Sequence, residues 1–162
     1  MNTENQVMEL LWELFNKMIW LNQQSLKKSL NGYNPSEIHC IDYIGNNPES
    51  NVTQLADAFY MTRGAISKLT KKLITKGLIE CYQKMGNKKE RYFCLTDKGL
   101  EVFKIHEKLH HEFDIRDESV FEQISKDELD GILHFAKIYN HHLDNELDKI
   151  GFNMKSAGID KM

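Results

Sequence analysis

The stretch from Val52 to Gly99, VTQLADAFYMTRGAISKLTKKLITKGLIECYQKMGNKKERYFCLTDKG, constrains this chain more than any other. Its pattern gives a short helix, a turn, a second helix, then two strands around a lysine-rich tip. The second helix begins at Thr62, a residue type whose side-chain oxygen satisfies a free backbone N–H at a helix start. Ala65, Ile66, Leu69 and Leu73 recur at spacings of three and four and form its apolar stripe. Arg63, Ser67, Lys68 and Lys71 lie mostly off that stripe and offer donors to something outside. Gly77 closes the helix, as glycine does just past a helix end. The pattern predicts a helix laid into a DNA major groove.

The charge distribution supports that expectation. Between Thr62 and Arg91 nine Lys/Arg stand against two acids, a local charge of +7 in a chain of net charge −3. A basic patch on an otherwise acidic protein is the footprint of a localised nucleic-acid site. The bland alternative, a solvated helix face beside a charged hairpin, leaves the coincidence with the helix–turn–helix pattern unexplained. An enzyme is the main other class, but the sequence has no phosphate loop, nucleophile elbow or CxxC pair. A winged helix that binds protein instead of DNA is the remaining alternative, and it would not need the positive charge.

The 162 residues, 41% of them apolar, suit one module with helical additions. Three cysteines make no disulfide framework, and neither a signal peptide nor a membrane-length apolar run is present. A reduced, cytoplasmic protein that does not enter the membrane is expected. A long first helix runs from about Glu4 to Leu30, with Val7, Leu11, Leu14, Met18 and Leu21 at helical spacing and Leu10, Phe15 and Ile19 widening the stripe. Asn34-Pro35-Ser36-Glu37 starts the next, with Asn34 as cap, proline at the first helical position and Glu37 completing a capping box. Val52 is expected as a brief strand, with Thr53 capping the following helix. Leu78–Gln83 and Arg91–Leu95 read as strands around a Met85–Lys88 turn. Thr96 caps a helix to about Phe113, and Ile115–Phe121 reads as helix with a bend. Ser125, with Glu128 as box partner, starts the last helix, which Gly151 ends; the tail from Phe152 is expected to fray. The fold class is therefore mainly α with a small β wing. Residues 34–99 form the winged helix–turn–helix, 97–114 a connecting helix, 1–30 and 115–150 a helical dimerisation region, and 151–162 a flexible tail. The two terminal helices have apolar faces wider than a monomer core requires.

At NVTQLADAFYMTRGAISKLTKKLITKGLIE, the hairpin after it and RYFCLTDKG, the sequence resembles the MarR family of transcriptional regulators. The most specific elements are the spacing from Leu55-Ala56 to the basic helix, the Lys76-Gly77-Leu78-Ile79 junction and the Leu95-Thr96-Asp97-Lys98-Gly99 run. The resemblance covers nearly the whole chain. It implies a homodimer built from the terminal helices on a pseudo-palindromic operator, the helix from Thr62 in the major groove and the hairpin tip along the minor groove. In such a pose Arg63 and Lys68 can donate to guanine, Thr62 and Ser67 can reach base edges or phosphate, and Ala65 can touch a thymine methyl. Lys71, Lys72 and Lys76 are expected on phosphates, and Lys84, Asn87, Lys88, Lys89 and Arg91 on the wing side of the site. The family usually carries an aspartate followed by arginines at the tip. Asn87, Lys88 and Lys89 stand there instead, and lysine is a flexible point charge, so a less selective wing is expected.

His106 and His110 lie four residues apart on one helix face, and His39 lies on the second helix. In the family's zinc-responsive repressors, ligands align with these three positions; the branch controlling fatty-acid synthesis resembles EIHCIDYIG and IHEKLHHEF and shares them too. An effector that is a small molecule, an acyl group or zinc is therefore open, as is a purely structural bond to Asp42, an acid in an otherwise apolar helix. No cofactor is required. The family's redox sensors carry a reactive cysteine in the first helix, where this chain has none; Cys81 and Cys94 are expected near each other across the hairpin.

Overall fold

In the computed structural model, which describes residues 2–151, six helices and one hairpin follow in the order α1 (Thr3–Ser29), α2 (Pro35–Asn46), α3 (Val52–Ala58), α4 (Arg63–Thr75), β1 (Ile79–Lys84), β2 (Asn87–Leu95), α5 (Asp97–Phe121) and α6 (Lys126–Lys149). The fold is a winged helix–turn–helix between long terminal helices. The expected tail from Phe152 lies outside the described residues.

Local chemistry sets the helix starts. Asn34 Oδ1 accepts from Glu37 N while Glu37 Oε2 accepts from Asn34 N, and Ser125 and Glu128 make the same reciprocal pair. Thr62 and Thr96 cap α4 and α5. The third helix departs from expectation by two residues. Asn51, not Thr53, is its cap, because Gln54 stands three residues on and closes a capping box with it. Val52 is helical; the expected strand contact belongs to Asn51, which bridges to Tyr92. The second strand is longer than expected, starting at Asn87. The bend expected in Ile115–Phe121 is replaced by one unbroken helix to Phe121.

Ile38, Ile41, Leu55, Ile66, Leu73, Leu78 and Ile79 are at most 2% exposed and form the centre of the winged module. β1 and β2 pair antiparallel, with Ile79 opposite Leu95 and Cys81 opposite Phe93. Cys94 lies opposite Glu80, so it stands on the other face from Cys81, and the expected proximity of the two thiols is not realised. Cys40 is fully buried, and burial pushes its thiol up to about 12. The terminal helices contrast with the core: neither α1 nor α6 has a single buried residue.

Candidate nucleic-acid interface

The α4 helix has two unlike sides. Inward it buries Ile66, Thr70 and Leu73. Thr70 was not part of the apolar stripe; its hydroxyl is satisfied by Ile66 O at 3.0 Å, which lets it sit in the core. Outward, Thr62, Arg63, Lys68 and Lys71 are exposed, and Ala65 and Ser67 are half-buried at the edge. Thr62 Oγ1 accepts from Ala65 N at 3.2 Å, so this hydroxyl is already engaged in capping. Among the described residues, Arg63, Lys68 and Lys71 enter no ion pair.

Three of the expected DNA contacts hold acidic partners within the chain. Lys72 Nζ stands 2.8 Å from Glu37 Oε1, and Lys76 Nζ 2.8 Å from Glu37 Oε2. The Lys72 contact is off the hydrogen-bonding direction, so Oε1 is a buried acceptor holding an ion pair without an aligned donor. Lys84 pairs with Glu49 and lies 4.5 Å above the Tyr92 ring centroid. The three pairings share a cause: the partner acids lie 35 or more positions away in sequence and meet the lysines only after folding.

At the wing tip Gly86 adopts φ +89°, a conformation that costs other residues dearly, and carries the turn between the strands. Asn87 orders the segment after it: Oδ1 accepts from Lys89 N at 3.2 Å and Glu90 N at 3.3 Å, and Nδ2 donates to Glu90 Oε2. The carboxamide thus shapes its own turn and is not placed to orient an arginine. Lys89 and Arg91 are exposed. With Arg63, Lys68 and Lys71 they form the outward cation set that remains after Lys72, Lys76 and Lys84 are set aside.

The histidines lie on the opposite side of α2 from Glu37. His106 is 2% exposed, and its Nδ1 is 3.0 Å from Asp42 Oδ1, which realises the bond to Asp42 that the sequence left open. His106 Nε2 faces His110 Nε2 at 3.1 Å. With Nδ1–H donated to Asp42, one proton lies between the two Nε2 atoms. A second proton there would set two donors against each other and part the rings. His39 stands edge-on to His106, with ring centroids 5.9 Å apart, and is exposed at its rim. Desolvation, then the neighbouring imidazoles, holds His39 below the usual histidine range against the pull of Asp42. Beside the cluster an open depression of about 350 Å3 is lined by Asp42, Asn46, Glu107, His110, His111 and Asp114. Zinc fits this arrangement poorly: among the described residues no three His, Cys, Asp or Glu side chains converge on a metal position.

The acids of α2 carry a pH dependence. The bond to His106 holds Asp42 below the usual carboxylate range against burial. For Glu37 burial alone would raise the value, but Lys72, Lys76 and the Asn34 N–H together bring it down. The unfolded chain therefore binds protons that the fold refuses, so stability present above about pH 4 is lost as pH falls through the folded values. Thermal melts between pH 7 and 3 should show this acid-side decline, and Asp42→Asn should make it shallower. Superimposable declines in the two proteins would mean that the Asp42–His106 link contributes nothing.

Residues 31–81 match the model of the MarR family. The HTH-type transcriptional regulator PchR of Bacillus subtilis (strain 168) is 28% identical over 152 residues, covering 85% of this chain and 90% of that protein. The uncharacterized HTH-type transcriptional regulator YhjH of the same strain is 32% identical over 94 residues, covering 58% of this chain and 54% of that protein. Among solved structures, Streptococcus pneumoniae FabT in complex with DNA superposes with a TM-score of 0.77 at 22% identity, over 88% of this chain and 98% of that one. The S. aureus MepR–DNA complex gives 0.64 at 19% identity, over 83% and 96%. These structural likenesses concern the fold.

Proposed function

We propose that this chain, which belongs to the MarR family of winged helix–turn–helix transcriptional regulators, represses transcription from the cytoplasm as a homodimer on a pseudo-palindromic DNA site. The observation that carries the reading is the two-sided α4: a core-packed inner face behind an outer face of exposed Arg63, Lys68 and Lys71, which enter no ion pair among the described residues. Arg63 and Lys68 read base edges, while Lys71 and the wing cations Lys88, Lys89 and Arg91 supply phosphate contacts that position without specifying. Two similar folds, FabT and MepR, were solved with DNA, which supports the same partner here. An effector acts at the junction of α2 and α5, where the cluster of His39, His106 and His110 stands beside the open depression that His110 lines.

The test is a gel shift on DNA from upstream of the protein's own coding region, run across a salt series. A salt-sensitive shift is expected. Lys88→Ala with Lys89→Ala should weaken binding to all sequences and flatten the salt dependence, by about 0.9 in logarithmic slope for each phosphate contact removed. An unchanged slope would take the wing off the backbone. No salt-sensitive shift on any DNA would leave the protein-interaction module as the better reading.

A further inference from the structure

We propose that Glu37, a residue that never touches DNA, determines sequence selectivity by fixing the rotation of α4 about its own axis. The inference rests on the reading of α4 as a groove helix and deepens it.

Glu37 is a carboxylate with 1% of its side chain exposed, seated at the start of α2. Its two oxygens hold two ammoniums from successive turns of α4, Lys72 on Oε1 and Lys76 on Oε2, each at 2.8 Å. Lys76 is held further by Gly32 O at 3.3 Å and by the Tyr33 ring, whose centroid is 5.3 Å from Nζ. Glu37 itself is fixed by the Asn34 N–H at 3.0 Å. Ile38 and Ile41 of α2 share one buried core with Ile66 and Leu73 of α4. That one-sided apolar packing sets which face α4 turns inward and leaves a small rotation about its axis. One carboxylate gripping Lys72 and, four residues on, the C-cap Lys76 fixes that remainder. The consequence reaches the other end of the rigid helix. With side chains ending roughly 6 Å from the axis, a 20° rotation moves a tip by about 2 Å. That is enough to break hydrogen bonds to base edges, which tolerate a few tenths of an ångström. Phosphate attraction survives such a shift, because it depends on charge and not on aim. The same clamp withholds two lysines from the backbone and so keeps the non-specific term low.

The experiment first lets the parent protein enrich a duplex from a randomised pool. Affinities of the parent and of Glu37→Gln are then measured for that duplex and for a scrambled one of equal composition. For Glu37→Gln, affinity for the selected duplex should fall while affinity for the scrambled one holds or rises. The ratio of the two should drop at least about tenfold, the scale of one or two wrong base pairs. A ratio within about twofold of the parent, or a parallel fall on both duplexes, would overturn the proposal. If a thermal melt shows Glu37→Gln unfolded, the variant Glu37→Met/Lys72→Met/Lys76→Met replaces the whole ion cluster, a change that commonly keeps a fold intact. It should show the same loss of ratio with an unchanged salt slope; a retained ratio would overturn the proposal. A parent that enriches no duplex removes the groove reading itself, and this inference with it, whereas a selective parent with a selective Glu37→Gln removes this inference alone.

Discussion

Gly99→Ala should cost about 3 kcal/mol or more, or abolish folding, because overpacking against an unyielding neighbour lies at the severe end of point mutations. A Cβ at position 99 would come 1.9 Å from Leu78 O and 3.0 Å from Leu78 C, both backbone atoms. Leu78 cannot retreat cheaply. Its carbonyl accepts from Thr96 N at 3.1 Å, and its own N–H donates to Leu73 O at 3.0 Å. Around it Thr96 Oγ1 donates to Gly77 O at 2.7 Å and accepts from Gly99 N at 3.0 Å, while Lys98 Nζ reaches Lys76 O at 3.0 Å. Relieving the clash means separating the start of α5 from the entry to β1, the joint that ties the wing to the connecting helix. Denaturant melts of parent and variant decide the matter. A variant within about 1 kcal/mol of the parent would show that this joint yields, contrary to its bonding.

That joint also shows what was legible in the sequence. Lys76-Gly77-Leu78-Ile79 and Leu95-Thr96-Asp97-Lys98-Gly99 stood out as two separate runs; in the fold they bond to each other. Local signals were read well where one residue's chemistry suffices. The caps at Asn34, Thr62, Thr96 and Ser125 and the break at Gly77, with φ +71°, follow from nearest neighbours. Where two capping residues stood close, at Asn51 and Thr53, the decisive partner was Gln54, whose spacing fits only the first. Side-chain assignments were weaker. Glu37 was legible as half of a capping box, but its second role needs Lys72 and Lys76, whose approach no periodicity reports. The Lys84–Glu49 pair is illegible for the same reason, since Glu49 reaches the lysine from a loop. That Asp42 would want a histidine was legible, because an acid among apolar helix residues demands a partner; which histidine was not, and the fold selects His106.

In the proposed homodimer, replacing Phe15 on α1 and Ile138 on α6 by lysine should give a monomer and weaken binding to a two-half-site duplex by at least about 100-fold. The argument begins with exposure. Phe15 is 48% and Ile138 58% exposed in the single chain, alongside Leu10, Leu14 and Ile19 on α1 and Ile132, Leu133 and Leu143 on α6. Scattered apolar residues on a surface are ordinary, but two long helices without one buried residue are not. Covering a large apolar side chain stabilises by roughly 1.5–3 kcal/mol, and a two-fold pair covers each position twice. A lysine at either place brings its charge into that seam, and the two-fold repeats it in the other copy. The winged module has its own core and is expected to stay folded, so far-ultraviolet dichroism should change little. Binding suffers because two joined α4 helices engage two half-sites with an avidity that a single copy lacks, typically a factor of about 100 to 10,000. Sedimentation of parent and variant, with titration of one labelled duplex, measures both effects together. A variant that stays dimeric would place the seam elsewhere. One that becomes monomeric yet binds as tightly as the parent would mean that the spacing of the two α4 helices does not matter, and an effector at the α2–α5 junction could then not act by changing that spacing.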